Sequence, residues 1–550
     1  MGIESTIKIE KRYLHMPIRR GAPEALVRIF GEGKLIRELV VELDSKNPDF
    51  WAHSDMGVFT GDAVTLTAEA APTSSDGGTG EPIDADGLAA VIQSDDLPSD
   101  GNNYRETLRP QYHFSSLRGW NNDPNGLLYY SGTYHLFYQH NPCGWKWGNM
   151  HWGHAISTDL VHWKETGDVL YPDEMGTMYS GSGIVDHCDT SGFQTGDHKP
   201  LVCVYTAAGG TSSWSKAAKF AQCLAYSADG GQTWRKFAGN PVVAHIEASN
   251  RDPKVIWHVP TEHWIMAIYL DNNRYTLFSS PDLKSWERIT DIEVPGATEC
   301  PDIFELPVDG DKRNTRWIFW GASGNYLVGD FDGRTFALET GPHRFQYGTA
   351  YAAQTWSDIP DEDGRRIQIA WLRGDKAGMP FNQQMTFPCE LQLRTTPEGI
   401  RMFSEPVTEI EKLCAQRHEL EDQTIHAGQT NRLGEFGELV DVSMQFSINA
   451  VGKNDVFGLR INGTELQVDS DSGNLVCGEA SIKAAIRNNS ITLRVLADRS
   501  SLECFVDSGA STIAVNTDPT PGMKGIEIYS ENCRVEARHV VVTELKSIWH

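Results

Sequence analysis

Cationic side chains are scarce in this 550-residue chain: 48 Lys and Arg stand against 74 Asp and Glu, for a formal charge of −26. A mean field of that sign repels nucleic acid and anionic membranes, so a neutral or weakly charged ligand fits better. Solubility is the plainer use of the same charge. The ten cysteines form no CxxC pair and no compact framework, which argues against a zinc site or a disulfide scaffold and leaves free buried thiols as the expectation. No apolar run reaches membrane-spanning length, and Met1 to Met16 lack the apolar centre of a secretion signal. The chain is therefore read as cytoplasmic, or as a secreted protein whose signal has been removed. Helical periodicity is also rare, and the expected class is all-β.

Aromatic residues make up 10 % of the chain, with 16 Trp. Indole rings stack on the apolar faces of sugars, which points to carbohydrate, although many buried Trp are structural. A length of 550 residues predicts two or three domains. Residues 1–108 read as a small N-terminal β domain, with strands such as Ala25–Phe30 and Leu39–Leu43, followed by a polar linker from Pro72 to Asn103. Aromatic strands such as Tyr134–Gln139 then begin.

A repeat marks residues 109–403. Ser157-Thr-Asp159 followed by Trp163 recurs as Ser227, Asp229, Trp234, as Ser280, Asp282, Trp286, and more weakly as Asp330, Asp332, Phe336. Asp and Ser cap the turn, and the aromatic residue fills space between sheets. Copies about 50 residues apart match one four-stranded propeller blade. Residues 404–417 are expected to hold a short linker helix, and 418–550 a β-sandwich with strands such as Ile491–Val495 and Leu502–Val506.

Three carboxylates stand out in the repeat region. Asp123 lies in Trp120-Asn-Asn-Asp-Pro-Asn-Gly126, close in sequence to Gln139, Trp147 and Trp152. Asp252 follows Arg251 in Arg-Asp-Pro-Lys254, and the adjacent cation favours its ionised form. Glu299 is flanked by Ala297, Cys300 and Pro301, a less polar setting that suits a proton donor. Read singly, each motif also fits a structural turn or a buried structural acid. Strand ends near a propeller axis share one funnel, which would bring the three together.

With Tyr179-Ser-Gly-Ser182 and the late stretch Asp498–Val506, these motifs in this order resemble glycoside hydrolase family 32, the invertase, inulinase and levanase family. The resemblance implies a five-bladed β-propeller followed by a β-sandwich, and no metal or cofactor. It implies a retaining β-fructofuranosidase that releases fructose from fructans or sucrose, with Asp123 as nucleophile, Glu299 as acid/base and Asp252 as transition-state stabiliser. It also implies that Asn122, Gln139, Trp147, Ser180, Arg251 and Trp371 line the fructosyl pocket. The N-terminal segment looks like the extra domain that precedes some bacterial levanases.

Three departures from the family pattern bear on substrate choice: Asn121 before Asn122, Tyr179 where Phe is usual, and a shortened stretch from Tyr347 to Tyr351. The levanase-like N-terminal segment together with the shortened stretch suggests a polymer-active exo-enzyme with rim aromatics at Trp145 or Trp214. A fructosyltransferase on the same scaffold is the alternative. Inverting arabinanases of similar fold are disfavoured by the motifs, and a non-catalytic fructan-binding protein by the presence of all three acids.

Overall fold

The computed structural model describes residues 3–71, 83–84, 86–99, 101–448, 455–483, 486, 488–517 and 525–549. Among the described residues, the helices are three short 3-10 turns, and strands make up the remaining regular structure. Eight of the ten cysteines are buried and all are free; Cys188 is exposed and Cys414 half-buried.

Five groups of four antiparallel strands follow one another from Gly119 to Pro406. Their inner strands are Gly119–Tyr130, Thr177–Val185, Arg251–His258, Asp302–Val308 and Ala350–Thr355. Each repeated turn is built as its sequence predicts. Asp159, Asp229, Asp282 and Asp332 each accept two backbone N–H bonds within their own turns. The aromatic residue that follows packs onto the preceding blade: Trp163 stacks on Trp356 of the fifth blade, and Trp234 meets Phe137 of the first edge-on. Trp286 joins an apolar cluster with Val202 and Val204 of the second blade, and Phe336 one with Ile265 of the third. Phe381–Asn382 then lies parallel to Gly119–Trp120 and ties the last blade to the first.

The segment before the propeller forms a four-stranded and a three-stranded sheet around one apolar core. The first part of the expected linker, residues 72–82, lies outside the described residues, but Ile92–Ser94 pairs with Tyr13–Ile18 instead of remaining loop. The helix expected from Ser404 is also corrected. Gly399–Pro406 is the outer strand of the fifth blade, and only Thr408–Leu413 is helical, as a 3-10 turn. A ladder with Cys389–Thr396 overrides the local helical spacing there.

An eight-stranded and a six-stranded sheet stack around the C-terminal core. Their junction with the propeller centres on His113, which is fully buried, with Nδ1 2.8 Å from Asp498 and Nε2 2.6 Å from Glu503. Asp498 also accepts the N–H groups of Gln111 and Tyr112, and Glu503 that of Phe387. Burial opposes charge on His113, but the hydrogen bonds to both carboxylates outweigh it and push the imidazole up to about 9. A raised folded-state pKa stabilises the fold fully below the ordinary value of 6.5 and loses that stabilisation as pH rises through about 9. The thermal midpoint is therefore expected to fall between pH 7 and pH 10. The fall should be smaller in a His113→Gln, Asp498→Asn, Glu503→Gln triple variant, and equal slopes in the two proteins would refute this role for the triad.

Candidate active site

The inner strands break their ladders where the motifs lie. Register shifts fall between Asn121 and Pro124, Tyr179 and Gly181, Arg251 and Lys254, and Tyr351 and Gln354. Asp252, Glu299, Cys300 and Ala352 have φ of 65°, 54°, 35° and 55°. Bulges and left-handed residues turn side chains out of the alternating pattern, and their strain is tolerated only where surroundings fix it. Gly126 is required for a similar reason: at φ 57° a Cβ would sit 2.5 Å from the Phe137 ring.

The result is one hydrogen-bonded cluster at the start of the inner strands. Asp123 accepts from Ser180 Oγ at 2.7 Å and from Asn122 Nδ2 at 3.1 Å. Gln139 Nε2 donates to Ser180 at 2.5 Å, and its Oε1 accepts from Asn122 at 3.3 Å. Asp252 accepts the Cys300 N–H at 3.0 Å, while its own N–H donates to Thr206 Oγ1 at 2.9 Å. The Cys300 thiol lies 3.5 Å from Asp123 and 3.6 Å from Asp252, and burial keeps it protonated. Glu299 accepts from Arg251 at 2.5 Å and from the Tyr351 hydroxyl. It is more open than Asp252, with side chains 30 % and 6 % exposed.

Burial pushes the Asp123 carboxyl up, the Ser180 and Asn122 hydrogen bonds oppose it, and nearby Glu299 adds to the rise. Asp252 is pushed up to about 7, first by burial, against the pull of Arg251 and reinforced by Glu299 and Asp123. This corrects the expectation that Arg251 simply holds Asp252 ionised. Arg251 Nε stays 3.7 Å from Asp252 while its terminal nitrogen is engaged by Glu299. The apolar surroundings expected for Glu299 are likewise replaced by a guanidinium and a phenol.

Seven of the expected site residues, Asn122, Asp123, Gln139, Ser180, Arg251, Asp252 and Glu299, therefore meet in one cluster. Trp371 reaches it through edge-on contacts with Trp120 and Tyr351, and Trp120 Nε1 donates to Asn122. Trp147 stands at the rim, 50 % exposed, edge-on to Tyr179. Sequence reasoning missed Tyr351, Cys300 and the buried pair Lys254–Asp302, at 3.1 Å, although the last three residues lie inside the quoted motifs. Lys254 also donates to Thr355 O at 2.7 Å, and Asp302 accepts the Thr355 N–H, so the pair joins the third, fourth and fifth blades. One rim expectation fails. Trp145 is buried in the N-terminal core, which removes it from the rim, whereas Trp214 stays half-buried with its backbone N–H bonded to Glu38. The shortened stretch is anchored too, since Gln346–Gly348 pairs with Ser511–Asn516 of the sandwich.

Because the folded-state pKa of Asp252 lies above its ordinary 3.8, its carboxyl opposes folding increasingly as pH rises through about 7. Each unit of such a shift corresponds to about 1.4 kcal/mol once the group is ionised. Asp252→Asn is expected to raise the thermal midpoint by several degrees at pH 8 and by less at pH 4. An unchanged or lowered midpoint at pH 8 would show that the site carries no such strain.

Comparison with known proteins agrees with this architecture. The family description "Glycosyl hydrolases family 32 N-terminal domain" matches residues 113–406, and "Glycosyl hydrolases family 32 C terminal" matches 409–546. A levanase of Bacillus subtilis is 37 % identical over 498 residues, spanning 82 % of this chain and 72 % of that protein. The crystal structure of exo-inulinase from Aspergillus awamori aligns with a TM-score of 0.72 and 26 % identity, over 81 % of this chain and all of the other. A Schwanniomyces occidentalis fructofuranosidase variant, complexed with fructosylnystose, aligns with a TM-score of 0.70 and 25 % identity, over 82 % of this chain and all of its own. With both family regions matched in order around one propeller-mouth cluster of acids, the chain belongs to glycosyl hydrolase family 32, and it is a glycoside hydrolase.

Proposed function

We propose that this hydrolase removes terminal β-D-fructofuranosyl units from a fructan such as levan or inulin, and from sucrose, by a retaining double displacement. The observation that carries the reading is the single cluster in which Asp123, Asp252 and Glu299 meet with distinct partners. The levanase, exo-inulinase and fructofuranosidase relatives support the substrate class.

In this mechanism an Asp123 oxygen attacks the anomeric carbon while Glu299 gives its proton to the departing glycosidic oxygen. The bond to the leaving sugar breaks and a fructosyl ester forms. Glu299 then takes a proton from water, whose oxygen displaces Asp123 and restores the original configuration. Ser180 and Asn122 keep the Asp123 oxygens directed and favour their charge, which burial alone would suppress. Arg251 and Tyr351 hold Glu299 from two sides. Asp252 sits beside both and hydrogen-bonds the ring hydroxyls more strongly as positive charge develops. Exo action requires a mouth that holds one unit, and Trp371, Trp120 and the Asn122–Gln139–Ser180 network are the groups assigned to that role.

Asp123→Asn and Glu299→Gln are each expected to retain the fold and lose nearly all turnover, by about 10²–10⁴-fold where only general-acid assistance is removed. NMR in the first minutes of the wild-type reaction should detect β-fructofuranose as the initial product. Early α product, or either variant keeping more than about a tenth of its activity, overturns the roles. Chromatography on levan, inulin and sucrose completes the test: fructose alone from the outset is expected, whereas short oligosaccharides indicate endo action and lengthening chains indicate transfer.

A further inference from the structure

The N-terminal domain lies against the mouth of the propeller, and one strand makes much of the contact. Lys34–Val41 is the edge strand of the four-stranded sheet. At Val40 its exposed edge is closed by one side chain of the propeller. Asn149 Oδ1 accepts the Val40 N–H at 2.8 Å, and Asn149 Nδ2 donates to Val40 O at 2.8 Å. Two residues earlier Glu38, 8 % exposed, accepts from Ser213 Oγ at 2.6 Å and from the Trp214 N–H at 2.9 Å. Arg28 Nε also donates to it at 2.9 Å. One edge strand thus grips two loops, 142–150 of the first blade and 209–220 of the second.

Both loops are stiff beyond the points of grip. In the first, Asn149 Nδ2 reaches Asn141 Oδ1, whose amide nitrogen donates to Lys146 O at 2.8 Å. Trp145 from this loop is part of the N-terminal core, under the Arg20 guanidinium 3.1 Å from its ring centre. In the second, Ser212 and Ser215 bond through their hydroxyls at 2.9 Å, and Gly210 and Ala218 close on Ser215. Between them runs a row of rings. Trp147 from the first loop meets Tyr179 at 5.6 Å, and Tyr179 meets Phe220, at the end of the second loop, at 5.4 Å. Tyr179, the middle ring, precedes Ser180, which donates to Asp123, so the row lies beside the acids and extends from there to a loop on either side.

We propose that the strand Lys34–Val41 is a clasp. By holding both loops it fixes Trp147, Tyr179 and Phe220 as a platform for fructan units beyond the bond being cleaved. Glu38 acts as a positioning residue for that platform. Rings held at fixed spacing bind successive apolar sugar faces without paying the entropy of ordering two loops. Sucrose, with a single glucosyl leaving group, does not reach Phe220. The proposal rests on the fructan reading and adds to it a role for the N-terminal domain.

The test uses the full chain with Glu38→Ala, Glu38→Gln, Ser213→Ala and Phe220→Ala, measuring kcat and KM on levan and on sucrose together with the thermal midpoint. For Glu38→Ala, KM for levan is expected to rise about three- to tenfold, with levan kcat and both sucrose constants within about twofold of the parent. Ser213→Ala should shift KM the same way by less, Glu38→Gln should fall between Glu38→Ala and the parent because its amide keeps only one of the two accepting oxygens, and Phe220→Ala should match Glu38→Ala on levan. Equal changes on the two substrates, or levan constants unaltered in Glu38→Ala or Phe220→Ala, overturn the clasp. If Glu38→Ala does not fold, Ser213→Ala and Phe220→Ala decide alone. A parent enzyme that cleaves neither substrate refutes the fructan reading itself, an outcome distinct from a parent that cleaves both with variants that treat levan as it does.

Discussion

Bringing Asp123, Asp252 and Glu299 to one mouth costs free energy twice, once in lost hydration and again in mutual repulsion. Asp252 shows it most clearly, pushed up to about 7 by burial despite Arg251 beside it. Such an arrangement persists only if the scaffold leaves the acids nowhere else to go. Bulges in the first, second, third and fifth inner strands and left-handed Glu299 and Cys300 just before the fourth supply that constraint. The outer strands and their repeated Asp turns keep the inner strands in place, with an aromatic residue from each turn packed on the blade before it. The blade repeat is in this sense a frame for displaced carboxylates.

What the sequence made legible was local in character. The Ser/Asp turns were visible because one short side chain satisfies two backbone donors a few residues away. The seven polar site residues were visible because each sits in a short motif. Contacts between distant segments were not. Arg251 looked like a partner for Asp252 because it is adjacent in sequence, yet in space its terminal nitrogen is taken by a residue 48 positions on. Trp145 resembled a rim aromatic because nothing local shows that the core of the preceding domain covers it. Ser404–Pro406 has helical spacing but lies in a ladder that only the fifth blade supplies.

The sandwich contributes at a distance from the mouth. Its hairpin turn from Asp498 to Glu503 receives the backbone of Gln111, Tyr112 and Phe387, so one turn secures both the entry into the first blade and the last part of the fifth. Gln346–Gly348 adds a second tie, directly before the strand that carries Tyr351 to Glu299. Movement of the sandwich relative to the propeller would therefore act on the acid/base through Tyr351 before it reached Asp123.

The buried acids of this protein divide by their partners and not by their depth. Burial pushes Asp168, Asp252 and Asp498 all upward. For Asp168 and Asp498 it is outweighed by His140 and His113, at 2.6 and 2.8 Å, and both carboxyls fall below the ordinary range. Asp302, equally enclosed, has Lys254 at 3.1 Å. Asp252 has its cation no closer than 3.7 Å, with the terminal guanidinium nitrogen drawn to Glu299, and it is pushed up. Asp168, Asp302 and Asp498 each have a partner within 3.1 Å, while at the mouth the Arg251 guanidinium contacts Glu299 and stands off from Asp252. Under the proposed mechanism, a sugar ring developing positive charge between them would supply the charge that the protein withholds, and the strain in the empty site would be relieved as the transition state forms.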